Sequence, residues 1–452
     1  MNLVRAISAI GSMTLLSRVF GFVRDILVAN FLGAGAMADA FVVAFRFPNL
    51  FRRLFAEGAF AAARIAFPYL FFISLVALQS GVLNALGKFS AAAAAPVLLN
   101  ITLITALLAF GGNDEQSGRA LTWGVFAAGI VQFIWLTWHC RQAGFPVRLR
   151  RPRLSEKVRT LGRRTLPVVF GASLYQINLL IGTILATTIS DGAVSYLYYA
   201  DRVTQLPLGV VGIAVGTALL PMISRQLEAG SAEDANNAQN RGAEYAMLLT
   251  VPAAFALMVI AQPIIVTLFE RGAFGADASA ATAQALVAYA IGLPAYVGIR
   301  VFTPGFFARE DTATPVKIAA LAIAVNIGLN LLLMQPLGHA GIALASSVSA
   351  WLNVVLLVGV LIRRRHYSPD TRLLRRGAGI LVASALMGAA LWGGADVLAP
   401  WLQAHGLIRW AALAALVGGG LALYFILARV FGVFVMAEIK RTLRRPPKTP
   451  SA

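Results

Sequence analysis

The chain has 452 residues, of which 59% are hydrophobic and only 13% charged, with a mean hydropathy of +0.76. A soluble globular protein is nearer a quarter charged, so this composition excludes that class and points to a polytopic membrane protein. Lys+Arg 38 against Asp+Glu 19 gives a net charge of +19, which on so apolar a chain belongs in cytoplasmic loops rather than on a nucleic-acid surface.

Taken in chain order, the N-terminus carries Arg5 and an apolar run from Ala6 to Leu16 that resembles a signal peptide. No small-x-small cleavage site follows and Arg18 comes next, so the segment reads as a retained first helix. Spanning helices need about 20 largely apolar residues. The chain offers thirteen such spans: 7–32, 36–51, 65–87, 92–111, 120–139, 165–189, 193–223, 243–269, 282–303, 315–335, 340–362, 377–399 and 407–432. A basic loop at 141–164, basic residues from Arg363 to Arg376, a basic tail at 433–452 and a polar loop at 225–242 separate or flank them. The result is an all-α organisation in blocks 1–140, 165–362 and a terminal helix pair 377–432, with no soluble domain.

Cys140 is the only cysteine, so an intrachain disulfide and a cysteine-based metal cluster are excluded. The four histidines show no ligand spacing, and neither a metal nor a cofactor is expected. A faint repeat is present. Ala95-Pro96-Val97 and Thr314-Pro315-Val316 each open a span after a short polar loop, and Pro68 and Pro294 each interrupt the span before. Paired interruptions in two halves are a pattern of transporter cores.

The stretch 17–60 is the most informative, because Arg18, Arg24, Asp25, Asp39, Arg46, Arg52, Arg53 and Glu57 lie in or beside its two apolar segments. A cation near a bilayer centre costs about 2.5–3.5 kcal/mol on insertion scales, so such residues should face a wet, protein-lined cavity with an anionic ligand. Arg18 and Asp25 fall on nearly one helix face, with Arg24 about 120° from Arg18. Arginine forms planar bidentate pairs with phosphate. The alternative is that Arg18 and Arg24 are ion-pair partners of Asp25 or Asp39, and the residues alone leave both readings open. Arg53 reads as ordinary basic flanking of a cytoplasmic helix end. Glu57 reads equally as a gate partner of an arginine or as a solvated acid. Asp201-Arg202 is the only charged pair deep inside a span of the second half. Gly209, Gly212 and Gly216 suit close helix packing.

The charge map contains a conflict. With both termini cytoplasmic the number of crossings is even, yet the spans number thirteen. Counting from each end, the arginine loop at 52–64 and the Lys88 loop both fall inside, with only the span 65–87 between them. One crossing is missing between Phe60 and Phe67.

The segments SRVFGFVRD, ADAFVVAFRFPNLFRRLFAEGAF, FPYLFFISLVALQSGVLNALGKF, YYADRVTQLPLGVVGIAVGTALLP and TPVKIA, in this order, resemble the MurJ/MviN family of the MOP transporter superfamily. That resemblance implies two helical lobes around a central cationic cavity, with a last helix pair lining a lipid-facing groove. It implies a lipid II flippase of the bacterial inner membrane, moving an undecaprenyl-diphosphate-linked disaccharide-pentapeptide by alternating access, and not an enzyme. The substrate-binding arginines carried over are Arg18, Arg24, Arg52 and Arg202. Asp25, Asp39, Glu57 and Asp201 are gate or ion-pair residues, and Ser17, Asn49, Ser195 and Gln205 are secondary positions. Gln205 stands where the family often carries glutamate, which weakens a proton-relay role there. The family has fourteen helices, and this chain departs from it after AEGAF, where Ala61-Ala62-Ala63 leads straight to Arg64. The third spanning helix is absent at the point where the charge map loses a crossing.

Expected partners are the lipid-linked precursor and membrane lipids, with a coupling ion or the membrane potential and the cell-wall synthesis machinery left open, and no nucleic acid. The rival readings are another MOP-type lipid-linked oligosaccharide flippase or exporter, an anion channel, and a transport-inactive scaffold that lacks its third helix.

Overall fold

A computed structural model describes residues 3–46, 65, 68–86, 88–145, 178–404 and 406–433. Among them the secondary structure is helical, apart from an isolated bridge between Arg271 and Phe274. Each of the thirteen expected spans contains helix among its described residues. Two compact units are present, one made of residues 1–202 and 268–282, the other of 203–267 and 283–452.

The first unit holds α1 (Leu3–Leu32), α2 (Ala36–Arg46), α3 (Tyr69–Ala85), α4 (Phe89–Phe110), α5 (Asp114–Gln142) and α6 (Asn178–Thr187). It also holds the start of α7 (Ala193–Glu228). A capping box starts α5: the Asn113 side chain accepts from Gln116 N at 2.9 Å, and the Gln116 side chain accepts from Asn113 N. Acids in its first turn and Arg141 in its last suit the helix dipole. Val76, Leu83, Ala91, Ala95, Leu136 and Cys140 form a buried cluster joining α3, α4 and α5. Gln132 donates to the Ala95 carbonyl at 2.7 Å, tying α5 to α4.

The second unit holds the rest of α7, then α8 (Ala232–Val259), α9 (Ala261–Phe269), α10 (Ala276–Phe307), α11 (Ala313–Arg363), α12 (Thr371–Val397), α13 (Ala399–Leu402) and α14 (Leu407–Val430), with the end of α9 and the start of α10 in the first unit. Gly338, at φ 55, breaks the 51-residue α11 into the two spans read from hydropathy. That left-handed conformation favours glycine. Ile223, Val301, Phe306 and Leu361 lie at the heart of the core. The terminal pair packs on α8 at small residues, with Gly377 against Met247 and Gly388 against Phe255 and Val259. The Tyr424 hydroxyl donates to the Leu248 carbonyl at 2.8 Å.

Two sequence expectations are corrected here. The stretch 225–242 is not a polar loop: it is helical except at a short turn around 229–231, where the Ser231 hydroxyl accepts from Asp234 N and starts α8. Gln239 and Asn240 are buried and bonded to carbonyl or hydroxyl partners, while Arg225, Glu228, Glu233, Asp234 and Asn237 are exposed. Low hydropathy marked a polar helix face, not the absence of a helix. The span 243–269 is two helices, α8 and α9, parted at Ile260.

Candidate functional site

Within the first unit, three helices place charge in one buried cluster. From α1 come Arg24 and Asp25, from α4 Asn100, and from α7 Tyr198 and Arg202. Arg24 is 5% exposed and Asp25 2%, so a lone charge there carries a large desolvation cost and must be compensated.

The compensation is dense. Arg24 Nη2 lies 2.7 Å from Asp25 Oδ1 and its Nε donates to the same oxygen at 3.0 Å. Arg24 Nη1 donates to Asn100 Oδ1 at 3.0 Å, and Asn100 in turn donates to the Ser17 carbonyl at 3.0 Å. The Tyr198 hydroxyl donates to Asp25 Oδ1 at 2.9 Å while accepting from Arg202 Nη2 at 3.0 Å. Arg202 Nε is 3.1 Å from Asp25 Oδ2, close enough for charge attraction but not aligned as a hydrogen bond. The Arg202 guanidinium also sits 4.9 Å from the centroid of the Tyr198 ring. Two arginines thus share one carboxylate, leaving the group with an excess positive charge.

Asp39 does different work. Its Oδ1 accepts from Ser195 N at 2.7 Å and Ser195 Oγ at 2.6 Å, and its Oδ2 accepts from Gly192 N at 2.8 Å. A carboxylate from α2 therefore caps the N-terminus of α7, where the dipole favours negative charge. Beside this cap the chain closes tightly. Ala273 N donates to the Asn30 carbonyl at 3.0 Å, and Tyr199 stacks near Phe269 and Phe274 at 5.0 and 5.3 Å. Gly272, at φ 57, comes so near that a Cβ would lie 2.2 Å from the Asn30 carbonyl oxygen.

Of the expected site residues, Arg24, Asp25 and Arg202 are brought together, and Asp39 meets Ser195. Ser17 contributes its carbonyl. Arg18 is exposed and outside the cluster, Asp201 is half-buried and Gln205 is exposed. Arg52, Glu57 and Asn49, with Arg53, lie outside the described residues. Arg24 and Asp25 form the ion pair that the residues alone left open as an alternative, the long arginine stem folding back over its neighbour. Sequence reasoning assigned no role to Asn100 or Tyr198. Asn100 carried a signal, being an amide in an otherwise apolar span.

A model of the family described as lipid II flippase MurJ matches residues 28–66 and 61–411. The probable lipid II flippase MurJ of Rhizobium meliloti is 40% identical over 521 aligned positions, covering 98% of this chain and 97% of that protein. The lipid II flippase MurJ of Burkholderia cenocepacia is 34% identical, covering 98% of this chain and 99% of that one. Among solved structures, lipid II flippase MurJ in an inward closed conformation superposes with a TM-score of 0.75 at 21% identity, over 96% of this chain and 99% of that chain. An inward-facing multidrug resistance MATE family transporter of the MOP superfamily follows at 0.61 and 14%, over 80% of this chain and 90% of that one. The two matched stretches meet at 61–66, and the 521-position alignment is longer than this 452-residue chain. The Rhizobium protein therefore contains residues that this chain does not.

Proposed function

This chain belongs to the lipid II flippase MurJ family, and from that premise we propose that Arg24 and Arg202, held on Asp25 and Tyr198, receive the diphosphate of lipid II. The protein is a multi-pass inner-membrane transporter that flips lipid II, and it is not an enzyme, because flipping makes and breaks no covalent bond.

The observation that carries the site assignment is the sharing of one buried carboxylate by two arginines. Asp25 pairs with both guanidiniums and balances one of their two charges. A diphosphate offers more charge and more acceptor oxygens than a carboxylate and matches the arginine fork, so it competes with Asp25 for the same donors. Tyr198 bridges both states, donating to an anion while accepting from Arg202. Arg18 and Arg52 extend the cationic surface, Glu57 acts as a gate partner, and the polyprenyl tail remains in lipid along α12 and α14. Access alternates between the two sides. The membrane potential, worth about 2.3 kcal/mol per charge per 100 mV, returns the cationic cavity.

Flipping of labelled lipid II in proteoliposomes tests this. The wild type should flip, and Arg24→Ala and Arg202→Ala should each lose tenfold or more, since a hydrogen bond to a charged group contributes about 1.5–3 kcal/mol. Arg24→Lys should restore only part of the rate. Imposed voltage should change the wild-type rate, and indifference to it would remove the coupling.

The rival reading from the sequence is a transport-inactive scaffold lacking the third helix. It predicts no flipping by the wild type and no rescue of flippase-depleted cells.

A further inference from the structure

A groove runs along α4 and α5, away from the arginine cluster, with a cavity volume of about 720 Å³. That lies within the range of small-molecule sites. Both helices are long and apolar enough to cross a membrane. Ile101, Ala106 and Trp123 form the apolar wall, and Gln116 and Arg119 lie at the end nearest the turn between the helices.

The polar end has a defined charge pattern. Arg119 Nη2 donates to Glu115 Oε1 at 2.5 Å, and the two side chains are 75% and 63% exposed. The pair is therefore within reach of a headgroup. Glu115, paired with Arg119, sets one charge of each sign at this end. A headgroup carrying both a phosphate and an ammonium matches the pattern. Arginine offers the phosphate its fork, and the Glu115 carboxylate receives the ammonium. Trp123 sits one helical turn further in, a residue type enriched at the membrane interface.

We propose that this groove binds one zwitterionic phospholipid of the phosphatidylethanolamine class. Its phosphate lies on Arg119, its ammonium on Glu115, and one acyl chain runs past Ile101, Ala106 and Trp123.

Native mass spectrometry of the full chain, titrated separately with dioleoyl phosphatidylethanolamine and dioleoyl phosphatidylglycerol, tests the proposal. The ethanolamine lipid should be retained at least threefold more tightly. Arg119→Ala should weaken that adduct at least threefold. Thr105→Trp, at an exposed lining position, should do the same by filling the groove from the lipid side. Glu115→Lys should shift the preference toward the glycerol lipid. Equal or tighter retention of phosphatidylglycerol by the wild type would overturn the proposal. So would unchanged ethanolamine-lipid binding in both Arg119→Ala and Thr105→Trp, or a lipid-independent dimer whose second copy occupies the groove.

Discussion

At Asp25 one carboxylate is bonded or paired to Arg24, Tyr198 and Arg202, whereas Asp39 is bonded only to N–H and hydroxyl donors among its described partners. The two acids, alike in kind but not in role, should respond differently to truncation. Removing one partner of a buried ion set strands the remaining charges and costs about 3–5 kcal/mol. Removing a helix cap costs about 0.5–2 kcal/mol. Asp25→Ala should therefore lower the thermal midpoint of the purified protein more than Asp39→Ala does. The reverse order would mean that Arg24 and Arg202 find other compensation. The roles of these acids were only half legible. Their presence in apolar spans marked them as functional or paired, but Asn100 and Tyr198 are 76 and 174 positions from Arg24, and no local pattern announces a partner at such separations.

At the scale of elements, the terminal helix pair is fastened through α8. Glu244 is 3% exposed and pairs with Arg241, Arg372 and Arg376, while Arg241 also pairs with Asp370. Asp370 is itself the cap of α12, accepting from Leu373 N at 2.7 Å. One buried glutamate thus fixes the first turn of the pair. Glu244→Ala should cost about 3–5 kcal/mol by leaving the arginines unneutralised, and hydrogen exchange should rise first at 371–380. Uniform exchange across both units would contradict a local anchor.

The nearby turns respond to pH. Asp311 accepts from Thr314 N and pairs with Arg364 at 2.5 Å, which holds its carboxyl below the usual carboxylate range. Burial, with Arg309 and Arg364 close by, lowers His366. Both groups bind protons more readily in the unfolded chain, so their contributions are intact at neutral pH. The His366 contribution is lost as pH falls below its unfolded value near 6.5, and that of Asp311 only as pH falls below about 4. Exchange at 364–368, corrected for intrinsic rates, should be faster at pH 5 than at pH 7. His366→Asn should flatten that difference.

For the whole molecule the charge map expects a crossing to be missing between Phe60 and Phe67, and topology tests it. Transport requires the loops at 52–64 and 141–164 to share the cytoplasmic side. Single cysteines placed in each loop, in a Cys140→Ala background, should label only from that side. Labelling from opposite sides would remove Arg52 from the proposed arginine site and overturn the expected arrangement of the loops.

The chain's own residues determined a great deal: a polytopic all-α membrane protein, helix within each expected span, and charged residues set inside apolar spans. These are properties of composition, period and local charge, which a linear reading captures because the bilayer imposes the same demand on every span. Tertiary structure alone decided that Arg24 and Arg202 share Asp25, that Asp39 caps α7, and that the polar stretch 225–242 is the end of α7 and the start of α8, with Gln239 and Asn240 buried, rather than a loop. Each of these depends on which polar groups meet after the helices pack. The energy of a buried polar group is set by its partner, and the partner lies elsewhere in the chain.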